Sequence, residues 1–220
     1  MVEGEEHAHA KEETGKGVPP GRRNETRMKR SRQVLFALAI GITMAGCHYL
    51  GEDRLIASYR ESLRAWTRQA EDYGNFETRI LARATFKSRP FREAFVAEYE
   101  AVYLLGEKER TALYQREIDE ATRYHAFLLY VYTPDVQRNV LDRPTSPWRL
   151  YLEDEAGHRV APETIRKKHD PGHTLEHFYP YVENWGRIYE VRFPKAPIEG
   201  RRLRLVITGI SGRCAMEWEL

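Results

Sequence analysis

The stretch Lys167-Lys168-His169-Asp170-Pro171-Gly172-His173-Thr174-Leu175-Glu176-His177 places three imidazoles at intervals of four residues, with Asp170 and Glu176 among them. These are the ligand types of a zinc or nickel centre. Intervals of four put side chains on one helix face, but Pro171-Gly172 marks a turn where that helix would have to be continuous. The segment is therefore expected as a solvated loop. A metal site made by His169, His173 and His177, serving metal binding or hydrolysis, is the alternative, although no HExxH or cysteine-rich pattern supports it.

Other catalytic signatures are missing. The chain has no GxSxG elbow, no GxxxxGK[ST] loop, no GxGxxG after a strand and no CxxC pair. Glu153-Asp154-Glu155 reads as the acidic tip of a hairpin turn. The expectation is a non-catalytic protein without a dissociable cofactor. Two segments suit recognition better. Thr133 to Pro147 is a long loop with three prolines, Asp135, Asn139 and Asp142, and loops of that length are often functional. Tyr179-Pro180-Tyr181-Val182-Glu183-Asn184-Trp185 mixes aromatic and polar groups, so Tyr179, Tyr181 and Trp185 form a candidate partner surface, with core packing as the plainer role of Tyr181 and Trp185.

The elements that must carry these segments follow from periodicity. Leu55, Ile56, Tyr59, Leu63 and Trp66 recur at helical spacing, predicting an amphipathic helix over about 52–72. Residues 76–88 alternate as a half-buried strand. Helices are expected over about 90–105, with the stripe Phe91, Phe95, Tyr99 and Tyr103, and over 108–124, joined at Gly106 as a hairpin. From 125 to 220 the chain reads as strands: 126–132, 148–152, 159–161, 188–193 and 203–208, with 178–181 and 215–220 weaker. This pattern predicts an α+β fold. Its centre is an antiparallel β-sandwich, immunoglobulin-like in general form, with an N-terminal helix and an inserted helical hairpin. The Cys-Trp-Cys signature of true immunoglobulin domains is absent.

Composition excludes several classes. With 13 Tyr, 8 Phe, 4 Trp and two cysteines in 220 residues, the chain is neither wholly disordered nor a disulfide scaffold. Residues 1–46 hold eight Lys or Arg and six Asp or Glu, which leaves 27 of each sign in the remainder and no net charge there. No basic stripe points to nucleic acid.

The N-terminal segment carries the strongest signal. Residues 1–27 are polar and are expected to be disordered or to precede the true start at Met28. Lys29-Arg30-Ser31-Arg32 is followed by an apolar run from Val34 to Ala45, shorter than the roughly 20 residues of a membrane-spanning helix. It ends in Met44-Ala45-Gly46-Cys47. This ending resembles the lipobox of bacterial lipoproteins, with Met44 where Leu is favoured. The resemblance covers residues 28–47. It implies cleavage between Gly46 and Cys47, a diacylglycerol on the Cys47 sulfur and an N-acyl chain, which together anchor the mature residues 47–220 to a membrane. His48, not Asp, follows the cysteine, which favours the inner leaflet of the outer membrane, facing the periplasm. Cys214 would then be the remaining thiol, expected as a buried small hydrophobe.

The expectation is thus a lipid-anchored envelope module that binds an envelope protein partner or has a structural role. A tethered metalloprotein or hydrolase and an assembly or export factor are the alternatives.

Overall fold

The computed structural model describes residues 58–74, 76–169, 172–196, 198 and 200–220; Gly46, Cys47, the leader before them and the expected helical residues 52–57 lie outside these. In chain order the described elements begin with a helical segment over 58–66 (α1) and strands β1 (Thr67–Gly74) and β2 (Glu77–Phe86). Helices α2 (Arg89–Tyr103) and α3 (Glu107–Arg123) follow. Strands β3 (Tyr124–Tyr132), β4 (Trp148–Glu153), β5 (Arg159–Val160) and β6 (Thr164–Lys168) lead to helix α4 (Gly172–Phe178). Strands β7 (Arg187–Pro194), β8 (Arg202–Gly209) and β9 (Gly212–Glu219) complete the chain.

His125 to Val131 is an unbroken buried run, and such a run needs cover on both faces. It forms the centre of a five-stranded antiparallel sheet ordered β1-β2-β3-β7-β6. Phe127, Leu129 and Val131 face a four-stranded antiparallel sheet, β5-β4-β8-β9, and share one core with its Leu150, Leu152, Leu205, Ile207 and Trp218. Leu128 and Tyr130 face the other way, into a second core with Tyr59 and Leu63 of α1, Phe91 of α2 and Phe178 of α4. The protein is therefore mixed α and β, with the larger sheet lying between a second sheet and a layer of helices.

The edges of the two sheets are tied together. Arg68 on β1 donates from Nε to the Glu217 carbonyl at 3.0 Å, and Arg213 N donates to Asp72 Oδ2 at 2.9 Å. Trp218 Nε1 donates to the Trp66 carbonyl at 2.8 Å. These bonds occupy edges that would otherwise be open to further pairing.

The helical hairpin connects β2 to β3. Ser88 caps α2, its Oγ accepting from Phe91 N, and Leu104 ends it in the left-handed region at φ 51°. Glu109 reaches back to Gly106 N at 3.2 Å to start α3. The hairpin is pinned by a buried ion network: Arg92, 1% exposed, pairs with Glu117 and with Glu120 at 3.0 Å, and Glu120 also pairs with Arg192 on β7. Burial works to raise the Glu120 carboxyl, but Arg92, Lys87 and Arg192 together hold it below its usual range.

Several expectations are corrected. The first helix stops at 66, not about 72, and 67–74 forms an edge strand whose hairpin with β2 turns at Phe76, φ 62°. β6 is an unexpected second edge strand, and the weak 215–220 strand is a full one from Gly212. Residues 178–181 form no strand; they end α4 and turn. The loop from Thr133 is held in place, because buried Asn139 donates to the Val131 carbonyl at 2.7 Å and accepts from the Tyr189 hydroxyl. Cys214 lies in the core between the sheets, and burial pushes its thiol up to about 12.

His125, 4% exposed, lies on the same strand face as Phe127, and its ring approaches Phe86 at 5.8 Å. Burial, aided by Lys195, lowers its pKa to about 4. The folded protein thus holds this imidazole neutral, while the unfolded chain protonates it near 6.5. Its contribution to stability is complete above about pH 6.5 and is lost as pH falls toward 4. Between pH 7.5 and 4.5 the wild type is expected to lose roughly 2–3 kcal/mol more than His125→Phe. Urea midpoints of the two proteins at both pH values check this; parallel losses would contradict it.

Candidate functional site

The histidines and aromatics of residues 169–185, candidate ligands and contacts by type and spacing, lie in different surroundings. His169 is exposed just after β6. The segment beyond Asp170 and Pro171, which lie outside the described residues, is not a loop but α4. His173 is fully exposed on it and lies 3.6 Å from Glu176. His177, one turn on, reaches inward to Glu98. Among the described residues no three His, Cys, Asp or Glu side chains converge as metal ligands. Tyr179 is buried in the second core, and Tyr181 is partly buried. The Tyr181 hydroxyl bonds Thr85 Oγ1 at 2.8 Å, and burial raises its pKa. Trp185, by contrast, is 75% exposed.

α4 is held by Phe178, whose ring stacks on Tyr99 at 5.6 Å and meets Phe95 at 5.0 Å and Tyr59 edge-on at 5.7 Å. The Tyr59 hydroxyl donates to the Phe178 carbonyl at 2.7 Å. These contacts leave a cleft on either side of the helix.

The first cleft, of about 390 Å³, opens between α1, α4 and the middle of α2. On it lies Glu98, whose side chain is only 2% exposed. His177 Nε2 donates to Glu98 Oε1 at 2.9 Å, while Glu98 Oε2 is buried with no hydrogen-bond partner among the described residues. A buried acceptor left unpaired costs its full desolvation. Glu98 lies three residues after Phe95 and seven after Phe91, so helical periodicity sets this carboxylate on the apolar face of α2, and that misfit is the signal in the sequence that marks it. Arg60 and Arg64, one turn apart on exposed positions of α1, line the same cleft with Glu176. The arrangement offers an acceptor in the wall and cations at the mouth. It can hold a polar group that donates to Glu98 and carries negative charge toward the arginines. No Ser, Thr or Cys side chain among the described residues bonds His177, so the pair lacks the nucleophile of a hydrolytic triad.

The second cleft, of about 270 Å³, has aromatic walls from Phe95, Tyr99 and Phe178 and charged groups from Lys87, Lys168 and Glu190. Lys168 Nζ pairs with Glu190 at 3.1 Å. Burial works to raise the Glu190 carboxyl, but Lys87, Lys168 and Arg192 hold it below its usual range. Burial lowers Lys87 in turn, against the pull of Glu190. These charges largely neutralise one another, which makes this cleft the weaker candidate.

No helix among the described residues is long and apolar enough to cross a membrane. The chain matches no protein-family model, and comparison with curated proteins and with solved structures finds none similar to it.

Proposed function

We propose that this chain is a lipid-anchored cell-envelope protein facing the periplasm, and that it is a non-catalytic binding module rather than an enzyme. The order of basic cluster, short apolar run and Met44-Ala45-Gly46-Cys47 supports the anchor, and His48 in place of Asp after the cysteine favours the inner leaflet of the outer membrane as its address. Two antiparallel sheets sharing one core support an immunoglobulin-like sandwich in general form. The anchor confines the module to a surface and raises its effective concentration for partners there.

The observation that carries the binding role is the unpartnered, buried Oε2 of Glu98 in the wall of the arginine-rimmed cleft. The ligand class that fits is a small zwitterion with an ammonium donor and a carboxylate or phosphate, such as a dipeptide. Adding dipeptides to the full chain is expected to raise its melting temperature. Glu98→Gln, which removes the charge but keeps the shape, is expected to weaken that binding roughly tenfold or more. Arg60→Ala with Arg64→Ala is expected to weaken it less, because both groups stand in water. Equal affinity in Glu98→Gln, or no shift with any dipeptide, would remove the cleft from the account.

A further inference from the structure

Strand register brings four turns to one end of the two sheets. Gly74 pairs with Glu77 at the β1–β2 turn, Gly209 with Gly212 at the β8–β9 turn, and Arg187, just after Trp185, pairs with Val131 near the end of β3. The bond from Arg213 N to Asp72 sets the two hairpin tips side by side. The tips carry apolar side chains that are exposed among the described residues: Phe76 is 109% exposed, Ile210 102% and Trp185 75%. Val136, in the turn after β3, is also exposed. Gly186, the next residue after Trp185, packs so closely on Tyr130 that a Cβ there would meet the ring at 2.4 Å.

Between these tips lies a cleft of about 290 Å³ lined by Glu77, Arg79, Asp135 and Arg138. Asp135 pairs with Arg138 at 3.1 Å. Arg79 and Glu77, two residues apart on the same strand face, have no ion pair among the described residues. Their charges match the phosphate and the ammonium of a zwitterionic phospholipid headgroup.

We propose that this end of the domain docks on a phospholipid surface, with Phe76, Ile210 and Trp185 entering the acyl boundary and Arg79 and Glu77 holding headgroups. Three separate protruding tips suit a fluid surface, which yields around each of them, better than a rigid partner that would need three matching sockets. The inference rests on the anchor proposed above. From Cys47 to residue 58 the chain extends at most roughly 38 Å, so an acylated Cys47 keeps the domain within reach of the bilayer it would touch. Burying Phe and Ile side chains adds apolar contact to the anchor.

The test uses the full lipidated chain in vesicles of phosphatidylethanolamine and phosphatidylglycerol with acyl chains brominated near the glycerol. Trp185 emission is expected to be quenched, the quenched part vanishing in Trp185→Phe. Phe76→Asp with Ile210→Asp, both at fully exposed positions, is expected to abolish quenching while the protein still floats with the vesicles. Flotation without quenching of Trp185, or quenching unchanged in the double variant, would overturn the docked orientation alone. A chain that fails to float would overturn the anchor, and the docking with it.

Discussion

Trp218→Ala is expected to lower the unfolding free energy by about 3–5 kcal/mol, the range for truncating a buried large aromatic. Trp218 is 1% exposed, and its ring packs against Phe127 at 5.2 Å and Phe86 at 6.3 Å in the core between the sheets. The substitution leaves a cavity there that well-packed strands fill only in part. It also deletes the bond from Nε1 to the Trp66 carbonyl, one of the few links between β9 and the chain entering β1. Trp218→Phe separates the two effects. It keeps most of the packing and is expected to cost less than the alanine change, with about 1 kcal/mol of the loss from the missing bond. Urea unfolding followed by far-ultraviolet circular dichroism measures both. A loss under about 1 kcal/mol for Trp218→Ala, the scale of a surface substitution, would mean that the two sheets do not share this core.

Arg92→Ala is expected to cost a similar amount, about 3–5 kcal/mol, for a different reason. The Arg92 guanidinium is buried between Glu117 and Glu120 of α3 and also donates from Nε to the Lys87 carbonyl at 2.9 Å. Removing it leaves two carboxylates facing each other with little water to shield them. Replacing the set by apolar groups, Arg92→Met with Glu117→Leu and Glu120→Leu, is expected to recover most of that loss, since no buried charge is then left alone. Arg192, paired with Glu120, keeps a 30% exposed side chain and can turn to solvent. Urea midpoints of the single and triple variants test this. A triple variant no more stable than Arg92→Ala would show that the pairs contribute more than their desolvation costs.

This network shows where sequence reasoning stops. The apolar run Ala126–Val131 declares its strand, because burial on both faces demands aliphatic and aromatic side chains at every position, and Leu203, Leu205 and Ile207 declare theirs by alternation toward the core. Ser88, Pro90 and Gly106 place the ends of the hairpin helices through backbone chemistry that neighbouring residues do not override. Edge strands declare little. β1 mixes Arg68, Glu71 and Asp72 with Ala70, and Trp66 and Ala70 fall at helical spacing, so the helix pattern runs on past its true end. β6 offers Ile165 as its one aliphatic contact with the core.

The site was legible in one half only. His177 stood out by type and spacing, but its partner Glu98 lies 79 residues earlier, on a different helix. Glu98 falls on the apolar stripe of its helix, seven residues after Phe91, and an acidic residue there is readily passed over as the edge of the polar face; packing by α1 and α4 makes it a buried acceptor. Phe76 and Ile210 were hidden in a similar way. Phe76 falls in step with Thr78, Ile80, Ala82, Ala84 and Phe86 and so reads as the first inward residue of its strand, whereas it stands fully exposed in the turn before it. Ile210, a single apolar residue in a turn, carries no period, and the common position of the two appears only when the hairpin ends are set side by side.

The envelope address rests on the covalent state of Cys47. The intact mass of the protein extracted from the membranes of a bacterial host, measured beside Cys47→Ser, tests it directly. The predicted result is a chain that begins at Cys47 and carries diacylglycerol with an N-acyl chain, both lost in the variant. An unmodified chain retaining residues 1–46 in both proteins would contradict the anchor, and with it the envelope address and the docking of the apolar tips on a lipid surface.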